Sequence, residues 1–261
     1  MIYTDQLHRR IEIKSTPKRI ISVVPSQSEL LWDLGLQKQL VGITKFCIHP
    51  QEMFTSIDRV GGTKQLNFKK IRSLQPDIII ANKEENEKTQ LEDLAKEFPV
   101  WISDIKNLNE SLQMISLLGD LFQKQEIAKD VAISIDKSFA TLAPLPAKKR
   151  VAYFIWNEPL MVAGKETFID DMLQRCGFQN IFSHKTPRYP ETSAEEIKEL
   201  APEIILLSSE PFPFKQRHVE DFQQLLPNAK ILIVDGELFS WYGSRLMKSV
   251  NYFNEVLRAC K

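Results

Sequence analysis

Aromatic side chains cluster in loops that follow predicted strands of this chain. Trp156 ends one strand, and residues 239–245 follow the last strand with the sequence Phe-Ser-Trp-Tyr-Gly-Ser-Arg. Aromatic rings in loops offer flat, amphipathic surfaces to a large ring system. In an open parallel sheet, ligands bind in the crevice beyond the carboxyl ends of the strands. These residues therefore predict a small-molecule binding site.

A histidine and an arginine join this group, each with two interpretations. His49 follows the second predicted strand, so it is expected either to contact a ligand, with axial ligation of a bound metal centre as one form of that contact, or to bond only to backbone. Arg245 begins the last helix and suits either an anionic group of a ligand or a neighbouring carboxylate. For each aromatic residue, packing in a core is the alternative.

Enzyme motifs are absent from the sequence: it has no G-x-G-x-x-G, Walker loop, H-E-x-x-H or G-x-S-x-G. A binding protein without catalytic activity is expected. The alternative enzyme is a tetrapyrrole metal chelatase, in which His49 with Glu84 or Glu85 would remove protons and deliver metal.

Composition excludes several other classes. Lys plus Arg and Asp plus Glu are both 34, so the formal net charge is zero and no basic stripe predicts nucleic-acid binding. No apolar segment reaches the length of a transmembrane helix. Residues 1–10 show no secretory signal, which leaves open a cytoplasmic protein or one whose signal was removed.

Three cysteines, Cys47, Cys176 and Cys260, have neither zinc-site nor Cys-x-x-Cys spacing. They are expected to be small apolar core residues, although a Cys176–Cys260 bridge stays possible.

Two segments are nearly repeated, at residues 69–80 and 195–206, an offset of 126 positions. Each reads as a charged helix, a proline that ends it, an acidic residue and a short apolar run typical of a buried strand. The alternative is a chance recurrence of a common local pattern. Alternating strands and helices predict mostly parallel sheets, so the repeat favours an α/β protein of two Rossmann-like lobes with a ligand cleft between them.

The region between the lobes is predicted to be helical without interruption by proline. The apolar phase slips near residues 119–125, which predicts two consecutive helices, the second about 20 residues and roughly 30 Å long. The predicted organisation is an N-terminal α/β lobe (residues 1–107), linking helices (108–147) and a C-terminal α/β lobe (148–261). A helix at 29–34, capped by residues 26–28, is predicted after the first strand.

The motifs resemble those of a known family. Pro25-Ser26, Gly61-Gly62 and residues 74–79 (Leu-Gln-Pro-Asp-Ile-Ile), followed by a long linking helix, resemble the helical-backbone periplasmic binding proteins, which supply ABC importers with vitamin B12, ferric siderophores or haem. Gly164-Lys165-Glu166, Cys176-Gly177 with residues 180–182 (Asn-Ile-Phe), and Tyr189-Pro190-Glu191 resemble the members that bind vitamin B12.

The resemblance implies two Rossmann-like lobes joined by one backbone helix, a corrinoid or other metal-chelate ligand, no intrinsic cofactor, an ABC permease as partner and a monomeric state. It also implies docking through one surface Glu in each lobe. Glu195 fits the second position, whereas Lys69 occupies the first and would repel a transporter arginine. The family is periplasmic or lipid-anchored, so the localisation of this chain stays open, and a cytoplasmic corrinoid carrier or sensor is the alternative function. The expected ligand-binding residues are Pro25, Ser26, His49, Glu84, Trp156, Tyr189, Phe239, Trp241, Tyr242 and Arg245.

Overall fold

Parallel strands alternating with helices build two separate sheets, as the computed structural model shows for residues 1–260. The chain divides into two units, each of which is discontinuous in sequence. Unit 1 comprises Met1–Asp104, Asn109–Asp136 and Tyr242–Arg245. Unit 2 comprises Ile105–Leu108, Lys137–Trp241 and the chain from Leu246 onward.

The first half of the chain supplies most of unit 1. Its elements are β1 (Ile2–Thr4), β2 (Arg10–Glu12), β3 (Ile20–Ser22), α1 (Pro25–Asp33), β4 (Leu40–Ile43), α2 (Gln51–Ser56), β5 (Asp58–Arg59), α3 (Phe68–Leu74), β6 (Ile78–Asn82), α4 (Lys88–Ala95), β7 (Val100–Ser103), α5 (Leu108–Leu121) and α6 (Gln125–Ala140). The predicted phase slip is confirmed, because α5 and α6 are separated by three residues that include Gln123 in the left-handed region (φ 56°). α6 has 16 residues rather than about 20.

The sheet of unit 1 has the strand order β5-β4-β3-β6-β7, and every pair is parallel. β3 and β6 are buried along their whole length, which explains their uninterrupted apolar sequences. A separate antiparallel pair, β1 and β2, lies at the start of the chain.

Helix α1 begins earlier than the sequence predicted. Its first residue is Pro25 and its N-cap is Val24, which has no side-chain hydroxyl to cap with. Proline suits the first helical position because its φ is already helical and it needs no hydrogen-bond partner for an N–H. The prediction that Ser26 and Ser28 cap a helix starting at Glu29 is therefore wrong, and both serines lie inside the first turns.

The second half of the chain supplies unit 2. Its elements are β8 (Lys149–Trp156), β9 (Met161–Val162), α7 (Phe168–Arg175), β10 (Phe178–Asn180), α8 (Ala194–Leu200), β11 (Ile204–Ser208), α9 (Gln216–Leu225), β12 (Lys230–Val234), α10 (Gly236–Ser240) and α11 (Leu246–Ala259). The sheet has the parallel order β10-β8-β11-β12, with β9 antiparallel to β8.

The repeated segment has the same structure in both units. α3 ends at Gln75 (φ 44°, ψ 64°) and α8 ends at Ala201 (φ 42°, ψ 63°), both in the left-handed conformation that often closes a helix. Asn67 and Ser193 cap the starts of these two helices through their side chains.

A carboxylate then ties the following strand to the start of the first strand of the parallel sheet in its unit. In unit 1, Asp77 Oδ2 accepts the backbone N–H groups of Lys18 (2.8 Å) and Arg19 (2.9 Å), and the Arg19 side chain donates to the last carbonyl of α3. In unit 2, Glu203 Oε2 accepts the N–H of Arg150 (2.9 Å), whose side chain donates to the last carbonyl of α8. We call Asp77–Arg19 and Glu203–Arg150 the strand-start pairs.

All three cysteines are buried free thiols. Within residues 1–260, no helix is long and apolar enough to cross a membrane.

Candidate functional site

In unit 1, a network of small polar groups lies beyond the carboxyl ends of β3 and β4. Ser28 Oγ lies 2.8 Å from both Ser22 Oγ and the Val24 carbonyl oxygen. Cys47 Sγ lies 3.2 Å from Ser28 Oγ and 3.1 Å from Thr44 Oγ1. Burial raises the pKa of Cys47, so its thiol stays protonated and acts as a hydrogen-bonding group. The network fixes the start of the loop that carries His49.

The same loop exposes large apolar side chains. Phe46 is 49% exposed and Ile48 is 42% exposed, while His49 is half-buried. Lys45 Nζ lies 5.0 Å from the centre of the Phe46 ring, within cation–π range. Phe46 and Ile48 are not among the binding residues predicted from the sequence, although they lie in the same loop after β4 as His49.

A second polar network lies beyond β6. Asn82 Oδ1 accepts the N–H groups of Glu84 (2.8 Å) and Glu85 (3.1 Å), and its Nδ2 donates to Ser103 Oγ (2.9 Å). Asn86 Oδ1 accepts the N–H of Asn82 at 2.9 Å. Both asparagines are buried, so this turn presents Glu84 and Glu85 on a rigid base.

Acidic and basic groups lie side by side on these loops of unit 1, with one more carboxylate than lysine. Lys64 lies 3.5 Å from Glu87, and Lys83 lies 2.7 Å from Asp104. The charged side chains of these loops are Lys45, Lys64 and Lys83 against Glu84, Glu85, Glu87 and Asp104.

In unit 2, aromatic rings take the place of the polar networks. Trp156 is 38% exposed at the end of β8, and its indole N–H donates to the Glu158 carbonyl at 2.9 Å. Its ring meets Phe212 edge-on at 5.6 Å, and Phe212 packs against Phe214 (4.8 Å) and His218 (5.3 Å). Because the N–H is already bonded, Trp156 presents mainly its apolar ring to solvent.

Tyr189 lies in a segment that runs beside β9 and is half-buried. The N–H of Gly164 donates to the Arg188 carbonyl at 2.7 Å, and the N–H of Val162 donates to the Pro190 carbonyl at 3.1 Å. These bonds on either side of Tyr189 fix its backbone within unit 2.

Phe239 corrects the predicted site. It lies in α10, a short helix where the sequence predicted a loop. Its ring is fully buried, and its centre lies 5.3 Å from the Tyr153 ring and 4.6 Å from the Phe253 ring. The structure therefore supports the core-packing alternative for Phe239, which has no exposed surface for a ligand. Burial also raises the pKa of Tyr153, whose hydroxyl bonds to Ser208.

The remaining predicted residues of this region are also largely covered. Trp241 is 7% exposed and Tyr242 is 6% exposed. The guanidinium of Arg245 makes two bonds to the Glu29 carboxylate, at 2.7 and 3.0 Å, and both side chains are buried. Of the two interpretations of Arg245, the structure favours the neighbouring carboxylate.

Pro25 and Ser26 are buried in the first turn of α1, where the Ser26 carbonyl faces Gly243 of the same unit. The structure thus brings Pro25, Ser26, Tyr242 and Arg245 together in unit 1, and places Trp156, Tyr189, Phe239 and Trp241 in unit 2. That His49, Trp156 and the others share one opening stays a prediction.

The predicted docking residue Glu195 is exposed in the first turn of α8. Its own N–H and the Ser193 side chain lower its pKa, so it is a stable anion. Lys69 is exposed in the first turn of α3, the equivalent place in unit 1. The charge difference inferred from the sequence repeat is therefore present on the surface of the two units.

Comparison with known proteins adds the relatives of the chain. A family model described as periplasmic binding protein matches residues 20–227. The chain is 26% identical over 240 residues to the vitamin B12-binding protein of Pectobacterium atrosepticum, covering 88% of this chain and 85% of that protein. It is 26% identical over 241 residues to the protein of the same name from Photorhabdus laumondii, covering 89% and 85%.

Solved structures share the fold. The periplasmic vitamin B12-binding protein BtuF of Vibrio cholerae superposes with a TM-score of 0.77 at 22% identity, covering 94% of this chain and 98% of that chain. The periplasmic heme-binding protein RhuT from Roseiflexus sp. RS-1 has a TM-score of 0.78 at 18% identity, covering 94% and 99%. The family match covers most of the chain, so this protein belongs to the periplasmic binding proteins, which bind solutes and are not enzymes.

Proposed function

We propose that the protein binds a corrinoid or a similar metal chelate as transported cargo and presents it to an ABC-type importer. The ligand contacts would come from the strand-end loops of both units: His49 and Glu84 with Phe46 and Ile48 in unit 1, and Trp156 and Tyr189 in unit 2. Trp241 and Tyr242 would contribute only the edges that remain accessible.

The observation that carries this proposal is the pair of exposed aromatic surfaces on these loops. Phe46 and Trp156 stay accessible although apolar side chains of this size are usually buried. The indole N–H of Trp156 donates to the Glu158 carbonyl, and the Trp156 ring contacts Phe212. These contacts fix the ring with its apolar surface exposed to solvent. Such surfaces favour a large, amphipathic ring system.

Charge balance supports a neutral chelate over a polyanionic one. Binding a polyanion calls for unpaired cations, and Arg is the residue best suited to bind carboxylates. Arg245 is bonded to Glu29, while Lys64 and Lys83 face carboxylates. We therefore expect cyanocobalamin to bind more tightly than a ferric tris-catecholate, with haem intermediate.

The vitamin B12-binding and heme-binding names of the relatives agree with this ligand class. Glu195 is the proposed contact to the importer, because it is an exposed anion at the start of α8. Lys69 would require a different contact on the importer surface that meets unit 1.

Titration of the purified protein with cyanocobalamin, haemin and a ferric tris-catecholate, followed by calorimetry and absorbance, tests the proposal. We expect a dissociation constant in the micromolar range or below for cyanocobalamin. Trp156→Ala and Phe46→Ala should each weaken binding about tenfold, as is common for aromatic anchors. Ile133→Ala, on an exposed isoleucine of α6, is the matched control. Failure of all three ligands to bind more tightly than about 100 μM would refute the proposal.

A further inference from the structure

Two carboxylates hold the ends of the segment that carries Trp241 and Tyr242. The chain leaves unit 2 after Trp241, contributes Tyr242–Arg245 to unit 1, and returns to unit 2 at Leu246. Each end of this segment is bonded to one glutamate, Glu210 in unit 2 and Glu29 in unit 1. We call the residues from Ser240 to Arg245 the aromatic segment.

Glu210 holds the end in unit 2. Its Oε1 accepts the indole N–H of Trp241 at 2.8 Å and the hydroxyl of Ser240 at 3.0 Å. An indole N–H in a largely buried ring needs an acceptor, and a carboxylate is a stronger acceptor than a neutral group. These two bonds fix both the position and the rotation of the Trp241 ring.

The path of the Glu210 side chain depends on Gly236. A β-carbon at position 236 would lie 2.3 Å from Ser208 Oγ and 2.6 Å from Glu210 Cγ, closer than such atoms approach in real proteins. The N–H of Gly236 also donates to Ser209 Oγ at 3.0 Å. The first turn of α10 is therefore shaped to let Glu210 pass across it and reach Trp241.

Glu29 holds the end in unit 1. It accepts two bonds from Arg245, and this bidentate geometry fixes direction as well as distance. Between the two ends, Gly243 has a φ of 110°, and a β-carbon there would lie 3.3 Å from Leu30 Cβ and 3.4 Å from the Ser26 carbonyl oxygen. The segment therefore lies directly against α1, in a backbone conformation that only glycine adopts readily.

We propose that Glu210 and Glu29 are positioning residues that hold the Trp241–Tyr242 pair in its ligand-binding conformation before the ligand arrives. This inference rests on the proposed function, because it assigns both rings an edge contact with the ligand. Ordering a flexible aromatic segment during binding costs affinity, and bonds that order it in the free protein remove that cost. Variants that break these bonds should keep their fold but bind the ligand more weakly, because the aromatic segment is less ordered before binding and the ligand dissociates faster.

Glu210→Ala, Glu210→Gln and Gly236→Ala test the end in unit 2. Glu210→Ala should weaken cyanocobalamin binding about tenfold, whereas Glu210→Gln keeps an acceptor oxygen and should stay within about threefold of the wild type. Gly236→Ala removes no hydrogen-bonding group but displaces Glu210 together with Ser208, whose hydroxyl bonds to the Glu210 carbonyl, so it should weaken binding at least as much as Glu210→Ala. Glu199→Gln, on an exposed glutamate of α8, is the control.

The double variant Glu29→Leu with Arg245→Met tests the end in unit 1. Replacing both partners of a buried ion pair with apolar residues avoids leaving an unpaired buried charge, so the unit should still fold. It should also weaken binding about tenfold. Thermal unfolding of each variant separates this effect from loss of the fold.

Exchange of the Trp241 indole N–H, followed by NMR on protein labelled with ¹⁵N-tryptophan, reports the position of the ring without ligand. It should accelerate at least about tenfold in Glu210→Ala and return towards the wild-type rate in Glu210→Gln. Wild-type binding of cyanocobalamin together with affinities within twofold for Glu210→Ala and the double variant would overturn the inference. Failure of the wild type to bind any of the three ligands would instead overturn the proposed function, and this inference with it.

Discussion

The two units share one construction at the amino ends of their strands and differ at the carboxyl ends. Both use a left-handed residue to close a helix, a proline, and a carboxylate that bonds to the start of a neighbouring strand. Beyond the carboxyl ends, unit 1 has hydroxyl and amide networks around Ser28 and Asn82, while unit 2 has aromatic rings packed edge-on or tilted around Phe212 and Phe239. The repeated part maintains the architecture, and the divergent part gives each unit different chemistry beyond the carboxyl ends of its strands.

Phe239→Ala gives the largest expected effect, because it removes the ring that packs against both Tyr153 and Phe253 in unit 2. A fully buried phenylalanine replaced by alanine leaves a cavity, and the free energy of unfolding should fall by about 3–5 kcal/mol. Urea denaturation measures it, with Phe239→Leu, which keeps more of the buried apolar volume and should lose less stability, as the control. A loss below about 1 kcal/mol would show that the ring does not belong to the core.

Asn82→Ala removes the corresponding centre of the polar side. The N–H groups of Glu84 and Glu85 lose their acceptor, and Ser103 Oγ loses one of its two donors, so unfolding should become easier by about 2–3 kcal/mol. Asn251→Ala, on an exposed asparagine of α11, should change stability by less than about 0.5 kcal/mol. Equal losses in the two variants would mean that the bonds of Asn82 add nothing to stability.

The buried thiols of the two units should make stability depend on pH in the alkaline range. Burial raises the pKa of Cys176 to about 12, against 9.0 for an ordinary thiol, and the charge on Cys260 contributes. Above pH 9 the unfolded chain releases this proton while the folded chain keeps it, so unfolding becomes easier as pH rises from 9 towards 12. The cost is about 1.4 kcal/mol for each pH unit in this window.

Cys176→Ala should therefore show a flatter fall in stability above pH 9 than the wild type, measured by thermal unfolding between pH 8 and 10.5. Burial also raises the pKa of Cys47, against hydrogen bonds with Ser28 and Thr44, so Cys47→Ala should flatten the profile in the same direction. Identical profiles for Cys176→Ala and the wild type would show that the thiol is not desolvated.

The strand-start pairs give the smallest effects. Asp77→Ala removes an acceptor for two backbone N–H groups, and Glu203→Ala removes an acceptor for one. We expect losses of about 1–2 kcal/mol for Asp77 and about 1 kcal/mol for Glu203, measured by urea denaturation. Asp77→Asn and Glu203→Gln keep an acceptor oxygen and should recover part of each loss. If only one of the two alanine variants is destabilised, the repeated carboxylates do not stabilise the two units in the same way.

The alternation of strands and helices, the break between α5 and α6 and the repeat were all predictable from the sequence, because each depends on local apolar spacing and on proline. The start of α1 was not, since Pro25 reads equally well as a turn and as a first helical residue. Phe239 was misplaced for a similar reason: a helix of five residues leaves too short a pattern to distinguish from a loop. The partner of Arg245 could not be deduced, because it lies 216 positions away.

That separation has a consequence for how the chain is made. Glu29 is synthesised 216 residues before Arg245, whose guanidinium neutralises it. Domains that consist of one continuous stretch fold as they emerge, in order from the amino terminus. Unit 1 therefore cannot finish folding before unit 2 is translated. Its buried Glu29 carboxylate pairs with Arg245, which is translated after most of unit 2. Vectorial synthesis thus makes the maturation of unit 1 depend on translation of the other half of the molecule.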